Sequence, residues 1–320
     1  MESKRALRIF SARNGAATVT SLTRQRSRSS PLARQRAGVG VMFVAPVVLL
    51  VVFLLVLPII EAIYYSFTNW NGLSSQWVGL ATYEQLLTSP VFWRVLLNNA
   101  VLLIAIPFAI FIPLSVAFLL NQKTFGWAFF RSVYFLPTAI SWVVIGMVSI
   151  QFFAADGLLS RGLQLLGLPG NQQGFLGHSA TAIAAVAVTF IWSVFGTNTI
   201  IFVTGMATIG TEVLEAARVD GATGWTTITR IMIPLLGRFI QFAFVTTLIT
   251  AFTALFSLIF VMTGGGPGYG TTTLEFYVYQ EAFSQGQFGT GAALGVVLFL
   301  IVFGISLFQL RLMSRDTSPM

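Results

Sequence analysis

Apolar residues fall in six long runs, at residues 39–64, 95–120, 130–153, 181–207, 236–262 and 289–312. Polar, glycine-rich or charged connections separate them. A helix needs about 20 mainly apolar residues to cross a bilayer, and every run meets that length. The pattern predicts an all-α membrane protein with six transmembrane helices. Pro46, Pro58, Pro107, Pro113 and Pro137 fall inside the runs. Neighbouring helices can satisfy the carbonyls that proline frees, so kinks are expected there.

One connection differs from the rest. Residues 208–235, between the fourth and fifth runs, are polar yet keep a helical pattern. Thr211 can cap a helix whose first turn holds Glu212 and Glu215, where negative charge opposes the helix dipole. Gly221 follows Asp220 where that helix should stop, since glycine reaches the left-handed conformation without steric cost. Thr223 can cap a second helix, on which Trp225, Ile228 and Ile231 form an apolar stripe. Pro234 ends or kinks it. A short amphipathic helix–turn–helix of this kind suits a groove on another protein.

Composition narrows the class. Of 320 residues, 56% are hydrophobic and 9% charged, with a mean hydropathy of +0.83. A soluble domain carries about a quarter charged residues. The net charge of +8 could point to nucleic acid, but its distribution does not. The N-terminal tail, the second and fourth connections and the C-terminal tail hold sixteen of the eighteen basic residues. Only Arg94 and Arg161 fall on the other side. The positive-inside rule then places both termini and the 208–235 loop in the cytoplasm. Residues 1–37 hold nine basic residues among Ser, Thr, Gln and Ala, and read as a disordered cytoplasmic tail. Residues 38–312 are the membrane domain, and 313–320 a second cytoplasmic tail.

Several chemistries are excluded. There is no cysteine for a disulfide or thiolate site, and a single histidine, His178. The glycine-rich run TGGGPGYGTTT from Thr263 carries no GKS or GKT and faces outward, so it is not a nucleotide loop. In the outer 66–93 connection, Trp70, Trp77 and Trp93 read as interfacial anchors, or else as contacts for an external partner.

The 208–235 loop resembles the EAA loop of bacterial ABC importer permeases, through Glu215, Ala216, Ala217, Gly221, Ile231 and Pro234 at that family's spacing. Ile233 stands where the family usually has leucine. Residues 135–141, 262–267 and 288–295 look like landmarks of the carbohydrate-importer branch, and of its larger, first permease. The resemblance implies a type I ABC importer permease fold in a bacterial inner membrane. Implied partners are a second homologous permease, a homodimer of ATP-binding subunits and an extracytoplasmic solute-binding protein. ATP and Mg would be bound by the ATPase, and this chain would hold no cofactor. Glu215, Ala216, Ala217, Asp220, Gly221, Trp225, Ile231 and Pro234 would couple it to that ATPase.

A sugar-like cargo needs hydrogen-bonding groups and aromatic faces inside an apolar pore. The fourth and fifth runs offer Trp192, Thr197, Asn198, Thr250, Phe252 and Thr253, with Asn198 and Trp192 foremost. Any one Ser or Thr there can instead bond to its own helix or a neighbour. Phe190 and Phe252 depart from polar contacts of the maltose-type relatives. A secondary transporter or channel, the rival class, would need titratable residues in mid-membrane or inverted repeats, and neither is seen.

Overall fold

The computed structural model describes residues 31–121, 127–169 and 173–315. The chain divides into two units, Met1–Leu57 and Pro58–Met320. In the first, helix α1 (Pro31–Val51) leads into a π turn at Val52–Val56. Residues 31–37, expected in the disordered tail, therefore open a helix. The rest of that tail, Lys123 and residues 316–320 lie outside the described residues.

The second unit holds, in order, α2 (Leu57–Tyr65, from Pro58 on), α3 (Ala81–Thr88), α4 (Pro90–Leu103), α5 (Ala105–Asn121), α6 (Trp127–Phe135), α7 (Trp142–Phe153) and α8 (Leu158–Leu165). There follow α9 (Ser179–Ala207), α10 (Thr211–Val219), α11 (Gly224–Thr226), α12 (Ile233–Leu235), α13 (Gly237–Met262), α14 (Leu274–Tyr279) and α15 (Phe288–Arg315). Among the described residues, six stretches are long and apolar enough to cross a membrane: Met42–Tyr65, Pro90–Leu120, Trp142–Leu165, Ser179–Ala207, Gly237–Met262 and Phe288–Gln309. Five of them agree with the apolar runs to within a few residues.

The third does not. A single kinked helix over 130–153 is expected, but the chain breaks. Helix α6 stops at Phe135, a 3-10 turn covers Leu136–Ala139, and Ile140 and Ser141 are extended before α7 begins. Pro137 has no N–H to continue the helix. The break closes on itself instead: Thr138 Oγ1 donates to the Phe135 carbonyl (2.7 Å), and Ile140 N–H to that of Pro137 (3.3 Å). Gly196 of α9 makes room for it. A Cβ there would run into the Tyr134 carbonyl oxygen, and would lie 2.8 Å from Thr138 Cγ2. Pro107 acts more mildly, with a local interruption at Ile104 between α4 and α5. Pro46 and Pro113 lie in unbroken helix.

Helix α9 is the centre of the second unit, packing on α5, α7 and α13. Small residues are buried on both helices, among them Ala109 and Ala117 of α5 and Ala182 and Ala185 of α9. Small side chains let membrane helices approach closely, where dispersion rather than water exclusion holds them together. Phe190, Phe202, Ile106 and Leu258 fill the space between.

A second apolar cluster, including Leu86, Phe92, Val95, Leu274 and Leu294, ties α3 and α4 to the connection before α15. Two adjacent asparagines fasten it. Asn98 Nδ2 donates to the carbonyls of Tyr269 (2.7 Å) and Thr272 (2.9 Å), while Asn99 Oδ1 accepts from Leu274 N–H (2.8 Å) at the start of α14. The glycine-rich run is non-helical, as expected, but the connection beyond it is not a plain loop. It forms α14 and a π turn at Gln280–Ser284. Burial raises the carboxyls of Glu275 and Glu281 there above the usual range. Hydrogen bonds from Thr273 and Asn99 only partly offset this at Glu275, and Glu281 Oε1 accepts from Gln285 Nε2 at 2.9 Å.

Candidate functional site

Two places gather the residues singled out from the sequence. The first is a cavity of about 240 Å³ where the break between α6 and α7 leaves space beside α9 and α13. Pro137, Thr138, Ile140 and Trp142 form one wall; Ser193, Thr197, Asn198, Thr246, Thr247 and Thr250 are on the other. The broken third segment, which the apolar pattern did not reveal, is therefore what opens the cavity.

Three of the six expected pathway residues line this space: Thr197, Asn198 and Thr250. Asn198 is fully buried and its amide is committed to holding helices together. Its Nδ2 donates to the Ala109 carbonyl of α5 (2.7 Å) and to Thr247 Oγ1 of α13 (3.0 Å). Thr247 Oγ1 donates back to Asn198 Oδ1 (3.2 Å). Trp192 faces elsewhere, into an apolar pocket of about 450 Å³ with Val148, Phe152 and Val188. Phe252 packs against the main core, and Thr253 is exposed, its hydroxyl donating to Ile249 O (3.0 Å). The aromatic residue that does line the cavity is Trp142, stacked on Phe190 with ring centroids 6.2 Å apart. Its place just after the Pro137 landmark was the only hint in the sequence.

Four hydroxyls in the cavity share one habit. Thr138, Ser193, Thr246 and Thr250 each donate to a carbonyl three or four residues earlier on their own chain, at 2.7–2.9 Å. Their protons are used and their lone pairs are not. The wall thus offers acceptors, suited to a solute that brings O–H donors.

The second place is the 208–236 connection. Helix α10 ends in a Schellman motif: Gly221 has φ +77°, its N–H donates to the Arg218 carbonyl (3.1 Å), and Ala222 N–H to that of Ala217 (2.9 Å). The N-terminal expectation is corrected. Gly210 is the N-cap and Thr211 the first helical residue, with no side-chain capping bond. Thr223 does occupy the N-cap of α11, but its hydroxyl pairs with Thr226 Oγ1 (3.0 Å) rather than with backbone.

The expected stripe also differs. Residues Thr227–Met232 form a π turn, so three-residue spacing no longer keeps one face. Trp225 is 75% exposed, while Ile228 packs on the main core and Ile231 is half-buried. Leu214, Met232 and Ile233 join that core and root the loop, and Ala217 is buried. Glu215, Ala216, Asp220, Gly221, Trp225 and Pro234 stay exposed. Pro234 lies in the last turn, and the chain turns at Leu236, where ψ is 1°.

The family model described as binding-protein-dependent transport system inner membrane component matches residues 94–315. The chain belongs to that family. This permease is 34% identical over 265 residues to a probable ABC transporter permease protein of Pyrococcus horikoshii, covering 82% of this chain and 90% of the relative. It is 33% identical to the multiple sugar-binding transport system permease protein MsmF of Streptococcus mutans, over 85% and 93% of the two chains. Among solved structures it matches a bacterial ABC transporter that imports the acidic polysaccharide alginate, with a TM-score of 0.77 at 22% identity over 89% and 98% of the chains. The permease therefore has the type I ABC importer fold. It is a multi-span inner-membrane component of a transporter.

Proposed function

We propose that this permease forms half of the translocation pathway of an ATP-driven importer for a sugar-like solute. A second homologous permease would supply the other half, and an extracytoplasmic binding protein would deliver the cargo. A homodimeric ATPase would bind ATP and Mg; this chain would bind neither. Both termini would be cytoplasmic. The carbohydrate class is supported by the sugar-transport names of relatives such as MsmF, and by the acceptor-lined cavity.

The observation that carries the coupling role is the 211–226 module. Leu214 and Ala217 within it, and Ile228, Met232 and Ile233 just after it, root it in the core, while Glu215, the Gly221 turn and Trp225 are left exposed. A bulky indole held in water at a defined turn fits a groove on a partner. Closure of the ATPase dimer would draw this module and its counterpart together and switch the cavity from inward- to outward-facing. Of the pathway residues, Thr197, Thr250 and Trp142 would meet the cargo, while Asn198 sets the wall they stand on. Trp192, Phe252 and Thr253 have no place in that contact set.

The test is ATP-driven uptake by the assembled complex in proteoliposomes. Trp225→Ala should abolish uptake and release the ATPase in a detergent pull-down. Retained uptake with the ATPase still bound would sink the coupling role. Thr197→Val with Thr250→Val should raise the solute concentration needed for half-maximal uptake while ATPase binding is unchanged. No change would remove the cavity from the pathway.

A further inference from the structure

A second polar cavity lies far along the chain from the first. It has a volume of about 260 Å³ and is lined by Asn69, Trp70 and Asn71 of the turn after α2, Thr82 and Gln85 of α3, and Gln287 and Thr290 at the start of α15, with Val78 and Ala81 completing it. Three membrane spans separate the 66–89 connection from the 208–236 loop. The cavity therefore opens on the side opposite that loop.

Its walls are built rather than incidental. The Trp70 indole is stacked on Tyr65, centroids 4.2 Å apart, and tilted against Phe288 at 5.0 Å. Gly289 N–H donates to the Trp70 carbonyl at 2.8 Å. A Cβ on Gly289 would collide with the Thr68 carbonyl oxygen, so only glycine lets α15 start this close to the turn. A bridge between Thr68 and Trp77 closes the far side.

The polar groups are left in a particular state. Asn69 Oδ1 accepts from Gln76 N–H (2.9 Å), and Asn71 Oδ1 from Leu73 and Ser74 N–H (3.1 and 2.9 Å) and from Ser74 Oγ (3.2 Å). Gln287 Oε1 takes the Thr290 hydroxyl (3.3 Å). The acceptors of three amides are thus used locally, and among the described residues their NH₂ groups have no partner. The Trp70 indole N–H and the whole Gln85 amide add further unspent groups. Among the described residues, no charged side chain lines the cavity. A charged ligand would lose its hydration without a counter-charge in return. A neutral solute dense in hydroxyl and ether oxygens would find a donor for several of them.

We propose that this cavity is a saccharide-binding site on the outer face, taking one ring of a neutral sugar, separate from the transport cavity. The inference stands on these donors and not on the cargo of the transport cavity.

Saturation-transfer NMR on the full chain, assembled with its partner subunits in lipid nanodiscs, tests it with glucose, maltose, lactose and chitobiose as probes. At least one should show transfer to its ring protons. Trp70→Phe keeps the stacking on Tyr65 and Phe288 and removes the N–H. Gln85→Ala removes an exposed amide that holds no other residue. Each should weaken the affinity roughly three- to tenfold, the value of one hydrogen bond, at an unchanged unfolding midpoint. Thr197→Val, in the transport cavity, should leave this signal in place. The proposal is overturned if no probe shows transfer, if both outer variants bind as the natural chain does, or if only Thr197→Val removes the signal.

Discussion

Asn198 and Thr247 exchange two hydrogen bonds, Nδ2 to Oγ1 at 3.0 Å and Oγ1 to Oδ1 at 3.2 Å, and so join α9 to α13 in the middle of the membrane domain. The same Asn198 amide reaches the Ala109 carbonyl of α5, so a single side chain ties three helices. Interhelical hydrogen bonds in membranes contribute about 0.6 kcal/mol on average and up to about 1.7. Asn198→Ala should therefore lower stability by about 1–2 kcal/mol, read from unfolding in detergent. Thr247→Val should cost less, and the double variant less than the sum of the two, because both break one shared pair. Strict additivity would show that the pair is not coupled.

Gly221 has a φ of +77° and no neighbour within 4 Å of where a Cβ would be. Gly221→Ala therefore meets conformational cost without a clash, about 1–2 kcal/mol. It should unwind the end of α10 and reduce ATP-driven uptake. Gly224→Ala, equally uncrowded but without a positive φ, should transport normally. Equal uptake by both variants would separate this turn from coupling.

Gly289→Ala faces the opposite situation, with open φ but no room beside the Thr68 carbonyl. Overpacking of this kind costs roughly 1–3 kcal/mol. The variant should lose stability and loosen the contact between the 68–70 turn and α15, visible as faster amide exchange at Gly289 and Trp70. Unchanged exchange at both would mean that the close approach is not needed.

Glu281 is buried, and burial raises its carboxyl above the ordinary value of 4.5, outweighing the hydrogen bonds from Tyr277 and Gln285 that lower it. A raised folded value means that the folded state holds this proton more tightly than the unfolded chain does. Its stabilising contribution is complete below the unfolded value and is lost as pH rises through the folded one. Unfolding midpoints should fall over that window, and Glu281→Gln should flatten this part of the profile. Glu275 is raised in the same sense, so its own slope should remain. A profile identical in Glu281→Gln would assign the whole slope to other groups.

Much of the molecule is legible along the chain. The lengths of the apolar runs define the spans, since a bilayer sets a minimum that no neighbour can change. The helix–Gly221–helix module is local too, because the Schellman turn needs only residues 217–222. Roles assigned to polar residues inside the helices were not legible. Asn198 and Trp192 look alike as pore candidates on α9, yet one is locked into a helix junction and the other faces an apolar pocket. Asn98 and Asn99, two amides near the start of an apolar run, were the signal for the outer latch that sequence reasoning passed over.

By itself, then, the sequence determined the all-α class, five of the six spans, the Gly221 turn and the family, because each depends on composition or on residues close together in the chain. Tertiary structure alone decided where the cavity opens and what lines it. Pro137 removes one donor, but only the approach of α9 at Gly196 makes the broken segment a cavity wall beside Trp142 and Thr197. Hydrogen-bond partners 49 to 175 residues away settle which amides hold the fold. No pattern within a single helix carries that information, since a buried amide is specified by the carbonyl or hydroxyl that another helix brings to it.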